Sequence, residues 1–207
     1  MTQRQSSETL AYRRVELVQG SEKWLAWRRN GIGASDAPAI MGENPFKSRS
    51  RLINEKVKNL KVRLNDKMKE GTELEPEARK SFENRLGVYV TPVCLESTKF
   101  PWLKASLDGL SADGLVVVEI KCGKSAYEHV DKYGTVPKYY YGQLQHILAI
   151  TGLSTIHFWN YRRRRRPLRL AVKRDHEYIF RLLSAEEEVW NELINLPGEC
   201  AAADVVR

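Results

Sequence analysis

Between Asp66 and Leu86 apolar side chains recur at Met68, Leu74, Ala78, Phe82 and Leu86. That spacing predicts one long helix with a single buried stripe, and Gly87 supplies the residue that ends it. Lys138–Thr151 repeats the pattern with Tyr140, Leu144, Ile147 and Leu148, and Gln143 lies at the edge of the stripe. A third long helix follows a capping Asp175 and keeps Ile179, Leu183, Trp190 and Leu193 on one side. Shorter helices are predicted after Ser21, over E-K-W-L-A-W-R-R-N up to Gly31, and over Ser50–Leu60. Ser35 reads as the N-cap of a further short helix that ends near Gly42. Elsewhere the period shortens to two. Val88–Val93, Ala105–Leu107, Leu115–Ile120, Thr155–Tyr161 and Leu168–Val172 read as strands. Ser125–Val136 has no clear period, and residues 1–14 are polar and read as a loose terminus. Helices interleaved with strands predict an α/β fold, a central mixed sheet flanked by helices, in one domain over residues 1–207.

The stretch Lys104–Lys121, K-A-S-L-D-G-L-S-A-D-G-L-V-V-V-E-I-K, concentrates the chemistry. Gly109 and Ala112-Asp113-Gly114 are turn residues, so its two apolar runs form a hairpin. Side chains alternate along a strand, which puts Glu119 and Lys121 on one face. The doubling-back of the chain brings Asp108 to the same end. Two carboxylates and an ammonium there can hold a divalent cation and steady a water against a phosphate. The bland alternative is a solvated hairpin edge. Against it, Glu119 interrupts a run of Val116, Val117, Val118 and Ile120 that is otherwise apolar, and a carboxylate buried there needs a cation or a donor.

Other polar positions carry two readings each. Trp24 and Trp27 at helical spacing read as core, with Arg28 beside them on the surface. G-I-G-A-S-D, with its free N–H groups before a helix, suits an anion, although Asp36 at that end opposes one. Glu75 and Arg79 stand one turn apart and read as an ion pair worth a few tenths of a kcal/mol. Gln143 reads as a core-edge amide that could reach a phosphate. Arg162, Arg163, Arg164, Arg165 and Arg166, five arginines in a row, form a turn between two strands. Such a run is a solvated loop or, in a nucleic-acid enzyme, a clamp on the DNA backbone.

Composition narrows the class. The 207 residues carry 34 Lys and Arg against 26 Asp and Glu, a net +8 that favours a polyanionic partner. Cys94, Cys122 and Cys200 are far apart and the four histidines are scattered, so neither a disulfide framework nor a zinc or iron–sulfur site is indicated. The N-terminus lacks the apolar core of a signal peptide and no apolar run reaches membrane-spanning length, which points to a soluble protein of a reducing cytoplasm.

Four motifs then fall in one order: W-x-x-x-R-x-x-x-x-x-A-S from Trp24 to Ser35, G-x-x-x-E-x-x-A-R from Gly71 to Arg79, S-x-D-G-L with E-I-K from Ser106 to Lys121, and Y-x-x-Q-x-Q from Tyr140 to Gln145. Together, over roughly residues 20–195, they resemble the phage alkaline exonucleases of the lambda exonuclease type. These are YqaJ-like viral recombinases within the restriction-endonuclease-like nucleases. The resemblance implies a restriction-endonuclease-like sheet and a ring-shaped homotrimer. It implies degradation of the 5′-ended strand of linear double-stranded DNA with Mg²⁺, two ions being expected and Mn²⁺ able to substitute. The 3′ tail would pass to a single-strand annealing protein in a bacterial host cell, where the enzyme is prophage or phage encoded. By position, Asp108, Glu119 and the carbonyl of Ile120 resemble the metal ligands. Lys121 resembles the lysine that orients the attacking water, and Glu75 the carboxylate that completes the second metal's surroundings. Arg28, Ser35, Ser106 and Gln143 match positions that grip a terminal 5′-phosphate. The proline that often precedes the aspartate is Leu107 here, which alters backbone shape rather than chemistry. Arg162–Arg166 match no family role. The alternatives are an endonuclease of the same superfamily and a catalytically silent DNA-binding subunit.

Overall fold

The computed structural model describes residues 11–60 and 66–196. Its frame is a seven-stranded sheet. The strands are β1 (Tyr12–Val15), β2 (Ile32–Gly33), β3 (Val90–Ser97), β4 (Leu103–Ser111), β5 (Val117–Lys121), β6 (Thr155–Asn160) and β7 (Leu168–Lys173). Their order is β1-β3-β4-β5-β6-β7, with β2 added in parallel to the start of β4. β5 and β6 are parallel, and the other neighbours on the main path are antiparallel. The helices are α1 (Glu22–Arg29), α2 (Ala37–Ile40), α3 (Arg49–Val57), α4 (Asp66–Leu86), α5 (Lys124–Tyr133), α6 (Lys138–Thr151) and α7 (His176–Asn195). The chain is therefore an α/β protein with a mixed sheet between helices. Among the described residues no helix is long and apolar enough to cross a membrane.

The predicted helical stripes find their cores. On one sheet face Leu144, Ile147 and Leu148 of α6 pack with Leu107, Leu110, Val117, Ile156 and Phe158. On the other, Ala78 and Phe82 of α4 meet Val90, Val118, Ile120 and Trp159. Full burial of a side chain such as Phe82 contributes about 1.5–3 kcal/mol. A buried ionic contact ties the first face together. His146 Nδ1 lies 2.7 Å from Glu186 Oε1 on α7, and its Nε2 donates to the Lys104 carbonyl at 2.9 Å.

Several expectations need correction. Residues 12–15 are not loose, because Tyr12–Val15 pairs with Ser97–Cys94 as an edge strand; its alternation is hidden by Arg13 and Arg14, which are both exposed. Residues 1–10, Cys200 and the Met68 side chain lie outside the described residues. Ser35 does not cap α2 but sits in the middle of a 3₁₀ turn, Ala34–Asp36. Leu115 precedes β5 and is 69% exposed, so the buried run starts two residues later. Ser125–Val136 is largely helical, within α5, which ends in a left-handed Gly134. Trp24 and Trp27 are not core: α1 has no buried residue.

Candidate active site

A bulge sets the centre of the site. Val93 pairs with Leu107 and Thr91 with Leu110, so one residue of β3, Pro92, faces two of β4, Asp108 and Gly109. Such a bulge re-aims the side chain at its crest. Gly109 is required there, because a Cβ would stand 2.7 Å from Val90 Cγ2 and 2.8 Å from Val118 Cγ1. The β4–β5 ladder covers only Gly109–Val118 and Leu110–Val117. Beyond it the Asp108 carboxylate takes the place of a strand partner and accepts the Ile120 N–H at 2.7 Å.

Glu119 is 1% exposed. Its Oε1 accepts from the Lys121 ammonium and from Gln143 Nε2, the latter at 2.6 Å, whereas Oε2 has no hydrogen-bond partner among the described residues. The Lys121 ammonium also lies over the Tyr140 ring, 4.9 Å from its centroid. From the opposite sheet face Arg79 donates Nε to the Asp108 carbonyl and Nη2 to Glu75 Oε1, both at 2.6 Å. Burial, and then the neighbouring Asp108 carboxylate, push Glu119 up to about 8 against the pull of Lys121. The same two causes raise Glu75 to about 7 despite Arg79. Asp108 is raised by burial. Burial alone would lower Lys121, but Glu119 and Asp108 outweigh it and hold it above its ordinary value. The two partners' opposite leanings have one cause. A single ammonium gains from two carboxylates, while each carboxylate shares that ammonium and repels the other.

A second cluster lies at α1. Arg28 Nη2 donates to Ser35 Oγ at 2.6 Å, and its guanidinium sits 4.5 Å from the centroid of Trp24. Trp24 Nε1 donates to Ser106 Oγ at 2.8 Å, which joins Arg28, Ser35 and Ser106 through one indole. Polar contacts, not apolar burial, dock this helix. Lys104 Nζ donates to the carbonyls of Trp27 and Asn30, and Trp27 Nε1 donates to Glu96 at 3.0 Å. Asp36 is occupied by Lys56 at 2.9 Å and by the Gly33 N–H, so the glycine-rich approach is already satisfied by its own carboxylate.

The predicted residues thus fall into three groups. Asp108, Glu119, Lys121 and Glu75 converge, and Gln143 joins them rather than the Arg28 cluster. Arg28, Ser35 and Ser106 form the second group. Gly142 relates the two, since a Cβ there would meet Pro38 N at 3.3 Å; α6 therefore packs its backbone against α2, directly after the turn that holds Ser35.

Arg162–Arg166 stand apart from both, and the run is not the single unit that its sequence suggests. Arg163 is paired to Glu77 at 2.8 Å. Arg164 takes a left-handed backbone, with φ 60°, and the Arg165 N–H closes the turn on the Arg162 carbonyl at 3.2 Å. The side chains of Arg164 and Arg165 are exposed and bond to no other described residue. These two therefore shape the tip of the β6–β7 turn, and among the described residues no contact ties them to β5. Reversing the chain there needs a positive φ, and the arginine repeat hides which residue supplies it.

Three contributors escaped sequence reasoning: Arg79, taken for a surface ion pair, and Tyr140 and Trp24, taken for core. Their places inside the motifs were the available signal. Asn160 gave none. It is 0% exposed, neither amide atom has a partner, and it pairs with Lys121 in the ladder.

Among the described residues no three His, Cys, Asp or Glu side chains gather to hold a metal. The donors present are the two carboxylates of Asp108 and Glu119 and nearby backbone carbonyls. The set is all oxygen, short of positive charge, and has one carboxylate oxygen buried without a partner. Such a set fits a hard divalent cation that keeps waters of its own.

Residues 23–154 match the YqaJ-like viral recombinase domain. The chain belongs to the YqaJ-like viral recombinase family. YqaJ of Bacillus subtilis, itself uncharacterized, is 30% identical over 198 residues, 88% of this chain; the chain spans 59% of that relative's length. Among solved structures, the alkaline exonuclease LHK-Exo of Laribacter hongkongensis is 27% identical with a TM-score of 0.74, over 84% of this chain and 93% of that one. The same enzyme in complex with dAMP gives 26% and 0.73, at the same coverage. A phage-related exonuclease from Haemophilus somnus, 16% identical with a TM-score of 0.58 over 79% and 95% of the two chains, shares the fold of this YqaJ-like chain.

Proposed function

We propose that the chain is a divalent-metal-dependent deoxyribonuclease that degrades the 5′-ended strand of linear duplex DNA and leaves a 3′ single-stranded tail. The observation that carries this reading is Glu119, a carboxylate buried inside an apolar strand with one oxygen on a lysine and the other without a partner. Asp108, Glu119 and the Ile120 carbonyl would hold Mg²⁺ or Mn²⁺, and Glu75 would complete the surroundings of a second ion. When bound, the cation lowers the pKa of a water and offsets charge on the phosphate. Lys121 places a fixed positive charge where charge develops on the phosphoryl oxygens. Gln143 and Tyr140 hold Glu119 and Lys121 in register for this. Arg79 ties α4 to the bulge, which fixes Asp108 relative to Glu75. Arg28, Ser35 and Ser106 offer a guanidinium fork and two hydroxyls to a terminal 5′-phosphate. Assembly as a homotrimer ring and delivery of the tail to an annealing protein belong to the same proposal, supported by the family alone.

The test uses linear duplexes labelled on either strand end, together with a covalently closed circle, incubated with Mg²⁺. Loss of the 5′ label first, with the circle intact, is the expected result. Nicking of the circle would favour an endonuclease, and loss of the 3′ label first would reverse the polarity.

A further inference from the structure

The five-arginine turn has no place in the site described above, and its surroundings form a second feature. Between the latter half of α4 and the β6–β7 turn runs a groove of about 640 Å³. Lys80, Asn84, Arg85, Trp159, Tyr161 and Arg166 line it, whereas Arg164 and Arg165 lie at the turn's tip, outside the lining. Its acid, Glu77, is already satisfied, because Arg163 Nε donates to it at 2.9 Å and Tyr161 Oη donates to its other oxygen. Among the described residues Lys80 reaches only Glu83, at 3.6 Å. Arg85 and Arg166 are exposed and form no ion pair among the described residues. At the floor Trp159 is 2% exposed and its Nε1 has no hydrogen-bond partner. The groove therefore offers two guanidinium groups and an ammonium above a buried indole, with no free carboxylate among its described lining residues, and it asks for an oxyanion.

We propose that this groove binds the single-stranded DNA that the reaction leaves, with phosphates against Lys80, Arg85 and Arg166 and a base against Tyr161. The proposal rests on the nuclease reading. Two observations favour a single strand. The volume, about 640 Å³, suits a nucleotide or two. The combination of cations with an aromatic wall is the one that tracks unpaired strands. The groove also adjoins the catalytic strand, since the Tyr161 N–H donates to the Lys121 carbonyl at 2.9 Å. Helix α4 presents Glu75 and Arg79 to the carboxylates and Lys80 and Arg85 to the groove.

The experiment measures binding of a short fluorescent oligothymidine, and of a duplex, to the full chain in EDTA over a range of salt. Replacing Lys80 and Arg85 together by serine should reduce the log–log salt slope for the single strand by about 1.4, from roughly 0.7 per lost phosphate contact, and leave the duplex slope unchanged. An unchanged single-strand slope overturns the proposal. So does an equal fall for duplex, which would make this a general backbone surface, or a change of oligomeric state in the double variant, which would make it an interface. No cleavage is read, so this result stands or falls apart from the nuclease assignment.

Discussion

Glu119→Gln isolates the electrostatics on which the site depends. The amide keeps the shape and can still accept from Gln143, but it carries no charge. In the metal-free protein Glu119 titrates near 8, against an ordinary 4.5. A folded pKa raised in this way means the native state holds the proton more tightly than the unfolded chain. The stabilisation is complete below about 4.5 and is lost as pH rises through about 8. At 1.36 kcal/mol per unit, moving from pH 5.5 to 8.5 removes on the order of 3 kcal/mol from the wild type through this group. The variant has no such titration. Urea unfolding in EDTA at both pH values should therefore show the difference between the two proteins changing by about 3 kcal/mol in the variant's favour at the higher pH. Adding Mg²⁺ at pH 8.5 should restore the wild type and leave the variant nearly unmoved, since only the carboxylate gains from the cation. Parallel pH profiles for the two proteins would refute the reasoning, because Glu119 would then be ionised throughout.

Two further perturbations probe the pocket and the bulge. Arg28→Ala should abolish most of the preference for 5′-phosphorylated over 5′-hydroxyl duplex ends, a loss of about 1.5–3 kcal/mol or ten- to hundred-fold in rate, and Arg28→Lys should recover only part of it. Equal rates on both ends in the wild type would remove Arg28, Ser35 and Ser106 from that role. Gly109→Ala forces a methyl against Val90 and Val118 and should lower stability by about 1–3 kcal/mol, read as a lower urea midpoint at unchanged slope. An unshifted midpoint would mean that the bulge yields freely.

The long helices were legible because α4, α6 and α7 each bury one stripe, and a stripe is written in the spacing of apolar residues. The hairpin was legible from Ala112-Asp113-Gly114 and from Glu119 among valines, although Gly109, read as a turn residue, lies within β4 opposite Val118. What escaped was carried by contacts between distant segments. The bulge at Asp108–Gly109 arises from a mismatch between β3 and β4, and neither strand alone records it. Arg79 pairs with Glu75 within its own helix, which hides its second bond to the Asp108 carbonyl. Five identical side chains likewise conceal that Arg163 and Arg166 reach the α4 groove while Arg164 and Arg165 form the tip. α1 looked like a core helix because two tryptophans at that spacing usually bury. Here their N–H groups are spent on Ser106 and Glu96, so the helix is held by polar contacts.

The central claim is that the strand bearing Glu119 and Lys121 hydrolyses phosphodiesters, and Lys121→Met tests it most directly. The substitution keeps the length of an unbranched side chain and removes the ammonium that lies over Tyr140, with no cation ligand lost. Single-turnover cleavage of a 5′-phosphorylated linear duplex in Mg²⁺ should fall by about 10²–10³, while duplex affinity and the urea midpoint in Mg²⁺ stay near those of the wild type. Cleavage at close to the wild-type rate would contradict the assignment.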